Sequence, residues 1–267
     1  MLCLRRTSHD QETPDPTPSA DHGCGCRRRR PWGGGLSIPD RPNALRILES
    51  AEYGTLNAQR LLLANQPLAR EFSPSDMSPV FKANGTTDPV NPEYKALRAN
   101  NFFDWRLRID GLVANPVNLT MADLKRQPQR TQITRHDCVE GWSAIGKWTG
   151  VPLAYLLEQA GLADNARYVV FHCADDYYAS DDGSARYYES VDLFDAFHPQ
   201  TILAHTMNDA PLKVAHGAPL RLRVERQLGY KHAKYLMRIE VTDRLTHLGQ
   251  GKGGFWPDRG YEWYASI

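Results

Sequence analysis

Short strand-like runs, separated by turn residues, are the feature that most constrains the fold of this chain. Each run alternates apolar and polar residues or is rich in β-branched and aromatic residues, as is typical of strands. They lie at residues 104–109, 131–134, 168–173, 201–207 and 236–241. Helix signals are fewer and the connections between the runs are long. We therefore predict an α+β domain with mixed β-sheets, few helices and long loops.

The helix signals are local but specific. Thr120 and Asp123 form a capping-box pattern, with Asp in place of the usual Glu. Pro152 and Gly161 frame a helix over residues 153–160, because proline favours the first turn of a helix and glycine the position after its end. Shorter helices are predicted at 42–50, 56–65 and 192–197. Residues 67–100 lack periodicity, and residues 175–189 form an acidic, tyrosine-rich loop.

Composition divides the chain into two parts. Residues 1–36, rich in Pro, Arg and Gly, are predicted to be a disordered tail, and residues 37–267 to form one domain. The arginine run at 27–30 lacks a following apolar segment, so we expect a cytoplasmic location, with the periplasm as the alternative. No apolar run is long enough to span a membrane. A net charge of +1 argues against nucleic acid as a partner.

Cys138 is the residue best placed for chemistry. It leaves a strand-like run and enters a turn that contains Gly141. A thiolate can act as a nucleophile, as a redox thiol or as a ligand of a soft metal. Cys173 is the candidate partner for a redox pair. The uneven spacing of the five cysteines does not resemble a secreted disulfide framework.

A second group of candidate residues is basic. Arg221 and Arg223 alternate on one strand and so share a face, and Lys231, His232 and Lys234 follow closely. Such a cluster beside a glycine suits a phosphate or another anion. From spacing alone, a solvated basic strand edge is the better interpretation. The sequence contains neither a dinucleotide fingerprint nor a Walker motif.

Three segments, taken in order, resemble the molybdopterin-binding oxidoreductase family, which includes sulfite oxidase, plant-type nitrate reductase and a bacterial methionine sulfoxide reductase catalytic subunit. They lie at 138–143 (CVEGWS), 216–221 (HGAPLR) and 229–235 (GYKHAKY), and the resemblance runs from about residue 72 to the C-terminus. It implies a sulfite oxidase-like molybdopterin-binding fold and a molybdenum–molybdopterin cofactor, with no haem in this chain.

The resemblance also implies roles for individual residues. Cys138 matches the thiolate ligand of molybdenum. The residues that match cofactor contacts are Phe81, Lys82, Asn84 and Gly85 in an upstream loop, Cys173 and Asp175 after a strand, His216 and Arg221 for the pyranopterin, and His232, Ala233 and Lys234 for its phosphate. Together they would hold the metal, the polar pterin edges and the phosphate.

The chain departs from sulfite oxidases at the expected substrate pocket. Arginines that would neutralise sulfite are mostly missing, and Glu140 adds a negative charge instead. The pattern Cys-Val-Glu-x-Trp is nearer to the bacterial subgroup. The active-site tyrosine of the family has no clear match, and Trp256 or Tyr261 falls in its region. We take Cys138, Glu140 and Trp256 as the catalytic candidates.

The expected activity is two-electron oxygen-atom transfer on a small or protein-borne oxo substrate of unknown identity. Electrons would pass to or from a separate partner, such as a cytochrome or a haem membrane subunit, and a monomer is expected. Two alternatives remain open. One is a thiol redox protein that uses Cys138 and Cys173, and the other is a pterin-binding module without catalysis.

Overall fold

A computed structural model describes residues 67–177 and 185–267, and the described part contains ten strands and four α-helices. The strands are β1 (Arg106–Gly111), β2 (Val117–Thr120), β3 (Arg130–Asp137), β4 (Ser143–Pro152), β5 (Tyr168–Asp176), β6 (Arg186–Asp192), β7 (Ile202–Met207), β8 (Ala210–Pro211), β9 (Arg221–Arg223) and β10 (Leu236–Thr242). The helices are α1 (Pro92–Ala99), α2 (Met121–Arg126), α3 (Leu153–Ala160) and α4 (Leu193–Ala196).

The strands form two sheets. One has the order β2-β1-β10-β5-β6, in which β1 and β10 run parallel and the other neighbours run antiparallel. The other has the order β3-β4-β7-β8, and β9 also pairs with β7. The prediction of an α+β domain with mixed sheets is confirmed. Within the described ranges, no helix combines the length and the apolar character needed to cross a membrane.

Local sequence signals account for several of these elements. The Thr120 side chain accepts a hydrogen bond from the Asp123 amide, and the Asp123 carboxylate accepts one in return from the Thr120 amide, so the predicted capping box starts α2. Gly161 ends α3 with φ = 69°, a conformation that glycine adopts without steric cost. Helix α3 then buries an apolar face against the core through Leu153, Leu156, Leu157 and Ala160.

Three expectations need correction or lie outside the described residues. Part of the segment predicted to lack structure is helix α1, which Asn91 caps and Pro92 begins. The predicted loop at 175–189 is shorter, since β5 continues to Asp176 and β6 begins at Arg186. The tail at 1–36 and the helices predicted within 42–66 lie outside the described residues.

Strand β4 was not predicted, and two glycines in it explain why its pattern is hard to recognise. A Cβ at Gly150 would lie 2.1 Å from the Leu203 carbonyl oxygen of neighbouring β7, so only glycine permits this close pairing. A Cβ at Gly146 would lie 3.1 Å from the Phe81 ring. The sequence thus places glycine where strands and rings approach closely, at the cost of a weaker strand signal.

Candidate active site

Cys138 lies directly after β3, at the edge of a cleft. Its amide donates to the Trp142 carbonyl and its carbonyl accepts from the Gly141 amide, both at 2.9 Å, which closes a tight turn. Gly141 makes this turn possible with φ = 85°. Burial raises the pKa of the Cys138 thiol, although the Glu140 amide donates a hydrogen bond that opposes the shift. The thiol is therefore not activated as a free nucleophile, whereas a bound soft metal would favour its thiolate form.

The cleft beside Cys138 has about 670 Å³ of empty volume, part of it open to solvent. Six separate parts of the chain meet there, namely the upstream loop, the end of β3, the end of β5, strand β6, the segment after β9 and the C-terminal segment. The lining residues are Asn84, Gly85, Thr86, Cys138, Val139, Glu140, Asp175, Tyr177, Tyr187, Gly229, Tyr230, His232, Lys234, Trp256 and Tyr261. A site built from parts so distant in sequence depends on the tertiary fold.

Arg221 and Arg223 lie behind the basic side of the cleft and are almost completely buried, at 1% and 0% exposure. Their guanidinium groups face the Trp148 ring at 5.1 and 4.4 Å from its centroid. This arrangement contradicts the interpretation of a solvated strand edge. The hydrogen bonds of Arg221 go to the carbonyls of His216 and His232. Burial, followed by repulsion from Arg223, lowers the pKa of Arg221 to about 9.

Lys234 is a third buried cation and lies on the cleft wall itself. Its ammonium donates to the carbonyls of Asn84 and Thr86, each at 2.5 Å. Burial lowers the pKa of Lys234 to about 7, and Arg221 adds to the shift while the Asp175 carboxylate opposes it. Arg223 is paired with the Glu225 carboxylate, but the hydrogen bonds of Arg221 and Lys234 go to carbonyl oxygens, so these two buried cations would be stabilised by an anion.

Two buried histidines next to the cleft each have one unpartnered nitrogen. His232 contacts the Gln227 carbonyl through Nε2 at 2.9 Å, so that nitrogen carries the proton and Nδ1 is a free acceptor. His136 accepts from Arg223 at Nδ1, so its unpartnered Nε2 is a donor. Their ring centroids lie 5.0 Å apart. Burial, followed by the Arg223 charge, holds the pKa of both rings well below the ordinary histidine value.

The orphaned atoms and the unbalanced cations suit a ligand that carries a phosphate and a polar heterocycle. The available groups are a buried donor, a buried acceptor, a further unpartnered oxygen on Asp175 and the unpartnered Nε of Arg221. A pyranopterin has both ring donors and ring acceptors, and its phosphate is a dianion. The residues present therefore fit the cofactor that the sequence resemblance implies.

The structure brings together most, but not all, of the predicted site residues. The predicted residues that line the cleft are Asn84, Gly85, Cys138, Glu140, Asp175, His232, Lys234 and Trp256. Phe81 instead packs edge-on against the rings of Trp148 and His216. Cys173 lies buried within β5. Lys82, His216, Arg221 and Ala233 are likewise not among the lining residues.

Glu140 lies at the cleft with its carboxylate held in place. The Trp142 indole donates to it at 3.0 Å, and the Lys82 ammonium lies 3.7 Å away. Both Glu140 and Lys82 are exposed, so the ion pair itself contributes little stability. The Glu140 carboxylate therefore lies at the cleft together with Cys138, with the Lys82 ammonium beside it.

The sequence reasoning missed Tyr177, Tyr187 and Tyr230, which form an aromatic side of the cleft together with the predicted candidates Trp256 and Tyr261. The hydroxyl of Tyr187 donates to the Tyr230 carbonyl, and that of Tyr230 donates to the Glu262 carbonyl, both at 2.7 Å. These two rings are thereby fixed as walls. Tyr187 lies in the segment predicted as a tyrosine-rich loop, and Tyr230 lies in the motif at 229–235, but neither pattern indicated that these rings line a cleft.

Both cysteines in the described part are free thiols. Burial, followed by the charges of Asp175 and Glu189, raises the pKa of the Cys173 thiol well above its ordinary value. Thiolate character is what drives disulfide exchange. The environment of Cys173 therefore disfavours the alternative of a Cys138–Cys173 redox pair.

Comparisons with known proteins identify a family model and several relatives that this chain resembles. The family model described as "Oxidoreductase molybdopterin binding domain" matches residues 94–247. The "Putative protein-methionine-sulfoxide reductase subunit YedZ1" of Azospira oryzae is 38% identical over 198 residues, which cover 73% of this chain and 70% of that relative. The "Protein-methionine-sulfoxide reductase catalytic subunit MsrP" of Campylobacter jejuni is 34% identical over 149 residues, 53% of this chain and 50% of the relative.

A solved structure was also matched. It is the sulfane dehydrogenase SoxCD from Paracoccus pantotrophus, with a TM-score of 0.47 and 25% identity over 53% of this chain and 39% of that chain. The chain thus spans about half the length of the curated Campylobacter relative and a smaller share of the SoxCD chain.

Proposed function

Because the chain belongs to the oxidoreductase molybdopterin-binding domain family, we propose that it is the catalytic subunit of a methionine sulfoxide reductase, with Cys138 as the ligand of its molybdenum. The predictions of a molybdopterin-binding oxidoreductase and of an α+β fold are confirmed. The observation that carries the finer proposal is the meeting of Cys138 and the buried basic residues at one cleft.

The cofactor would be held by groups with distinct tasks. The Cys138 thiolate would bind molybdenum. Lys234 would contact the phosphate, whereas the free acceptor Nδ1 of His232 and the Asp175 carboxylate would face donor groups of the pyranopterin, with Arg221 behind them. When bound, the cofactor supplies two-electron oxygen-atom transfer.

A sulfoxide is favoured as substrate over sulfite for two reasons. The Glu140 carboxylate at the cleft repels anions such as sulfite, whereas a sulfoxide is uncharged. The aromatic side of the cleft offers apolar contact to the carbon groups of a sulfoxide. The names of the two relatives given above point to the same substrate class.

The net reaction balances with external electrons and protons. The S–O bond of the sulfoxide breaks, the sulfur is reduced to a thioether, and the oxygen leaves as water after uptake of two electrons and two protons. The electrons would come from a separate one-electron donor, such as a cytochrome or a haem membrane subunit. The residues of this chain bind the cofactor anion and select an uncharged substrate.

The test compares two cysteine variants with the wild-type protein after expression in a host that makes the cofactor. Cys138→Ser should lose molybdenum and all methionine sulfoxide reduction by a reduced dye, whereas Cys173→Ala should retain both. Metal content is measured by mass spectrometry and pterin by fluorescence after oxidation. Wild-type protein without molybdenum, or a Cys138→Ser protein that retains it together with activity, would refute the proposal.

A further inference from the structure

Three aromatic residues on the cleft are not explained by cofactor binding. Tyr177, Trp256 and Tyr261, here called the aromatic slot, line the same cleft as Cys138. The residues proposed to hold the cofactor are polar or charged, and the aromatic slot supplies mainly apolar ring surface. It therefore has a different chemical partner within the same cleft.

The aromatic slot is supported by packing around and behind it. Tyr261 stacks on Trp256 with ring centroids 4.9 Å apart and planes 27° apart, and Tyr177 meets Trp256 edge-on at 5.1 Å. Buried Phe255 contacts both Tyr177 and Trp256, at 5.1 and 5.5 Å. Tyr230 meets Tyr261 edge-on at 5.3 Å. Rings held from several sides form a preorganised surface that loses little freedom when a ligand binds.

The aromatic slot also reaches solvent. Tyr177 and Tyr261 are each 38% exposed, and Val139, next to the ligand candidate Cys138, is 47% exposed. These three side chains are large apolar groups on the rim of one cleft. An apolar rim that leads into a polar interior suits a ligand with an apolar arm and a polar reacting end.

We propose that the aromatic slot determines substrate selection, by binding the methylene arm and terminal methyl of a methionine sulfoxide carried on an exposed segment of a polypeptide. This inference rests on the function proposed above. The sulfoxide sulfur and its methyl carry partial positive charge and are attracted to ring faces. The unbranched arm reaches from the rim into the cleft while the backbone of the substrate remains outside. Dimethyl sulfoxide has no such arm and gains less from the rim.

The experiment uses the molybdenum-loaded enzyme and the variants Tyr261→Ala and Tyr177→Ala. The substrates are a short peptide with one methionine sulfoxide and dimethyl sulfoxide. We expect the ratio of kcat/KM for the peptide to that for dimethyl sulfoxide to fall about 3- to 10-fold in each variant, mainly through KM. Tyr261→Phe, which retains the ring, should keep the wild-type ratio. Phe103→Ala is the control, because Phe103 is 80% exposed and does not line the cleft.

Binding of the same peptide, labelled with fluorescein and followed by anisotropy, separates the two proposals. Weaker binding by the slot variants supports the aromatic slot, even if the wild-type enzyme reduces no sulfoxide and the reductase proposal therefore fails. The wild-type enzyme could reduce sulfoxides while both slot variants keep the wild-type ratio of kcat/KM values and the wild-type Kd for the peptide. That result would overturn the proposed role of the aromatic slot and leave the reductase proposal standing. An equal effect of Phe103→Ala would also overturn it.

Discussion

Lys234 offers the sharpest test of the proposed anion site. Its ammonium lies on the cleft wall between the carbonyls of Asn84 and Thr86, and it is 7% exposed. Lys234→Gln removes the charge but retains an amide that can donate to carbonyls. The substitution therefore separates the charge of Lys234 from its part in holding the upstream loop.

The expected magnitude follows from the burial of this charge. A hydrogen bond to a charged group contributes about 1.5–3 kcal/mol, and the cofactor phosphate would be such a group. Lys234→Gln should therefore weaken cofactor retention by about 10- to 100-fold, since ~1.4 kcal/mol corresponds to a factor of ten. Lys95→Gln is the matched control, because this substitution removes the same charge from an exposed side chain on α1.

The assay is the molybdenum and pterin content that remains after dialysis, followed over time. Unchanged retention in Lys234→Gln, at a level equal to Lys95→Gln, would refute the assignment of Lys234 to the anion. Cofactor-free protein gives a second measurement. Because the folded-state pKa of Lys234, about 7, lies below its ordinary value of 10.5, the unfolded chain binds more protons between these values. The contribution of Lys234 to stability should therefore rise with pH in that window, and Lys234→Gln should remove the rise.

Three further predictions concern stability and charge. Arg223→Met leaves the buried Glu225 carboxylate without its cationic partner. The free energy of unfolding measured in urea should fall by about 3–5 kcal/mol, and the double variant with Glu225→Leu should restore part of it. The Cβ added by Gly150→Ala would clash with the Leu203 carbonyl oxygen, so this variant should lower the free energy of unfolding by about 3 kcal/mol. Its Tm in calorimetry should fall by about 6–12 °C, and an unchanged Tm would contradict the close strand pairing. Glu140→Gln removes a negative charge from the cleft, which corresponds to ~1 kcal/mol less repulsion of an anion. Inhibition by sulfate, an inert dianion, should therefore become roughly fivefold stronger. Equal inhibition constants for the wild-type enzyme and Glu140→Gln would count against selection by charge.

Local patterns predicted much of the secondary structure because their causes are local. The capping box at Thr120 and the proline and glycine around α3 act within one turn of helix, so the sequence contains the whole signal. Strand β4 was missed because it contains Gly146 and Gly150, which weaken the strand pattern. Both glycines are required by close contacts with residues distant in sequence. Helix α1 was missed although Asn91 and Pro92 carry a local capping signal, because the surrounding residues show no clear periodicity.

The site was predicted in part. Motifs indicated Cys138, His232 and Lys234, and these residues line one cleft. Spacing alone favoured a solvated strand edge for Arg221 and Arg223, and the structure buries both against Trp148. Burial of a basic residue depends on which element covers it, and no pattern within a three-residue strand contains that information.

The sequence by itself determined the class of fold, the family and the residues able to bind a metal and an anion, because strand periodicity, caps and motif order are properties of contiguous segments. Only the tertiary structure decided which of those residues share a cleft, which cations are buried together and which aromatic rings line that cleft. Tyr177 and Tyr261 are 84 positions apart in the chain, yet they flank the same tryptophan. Such proximity arises from sheet pairing and side-chain packing between distant segments, which a linear pattern does not specify.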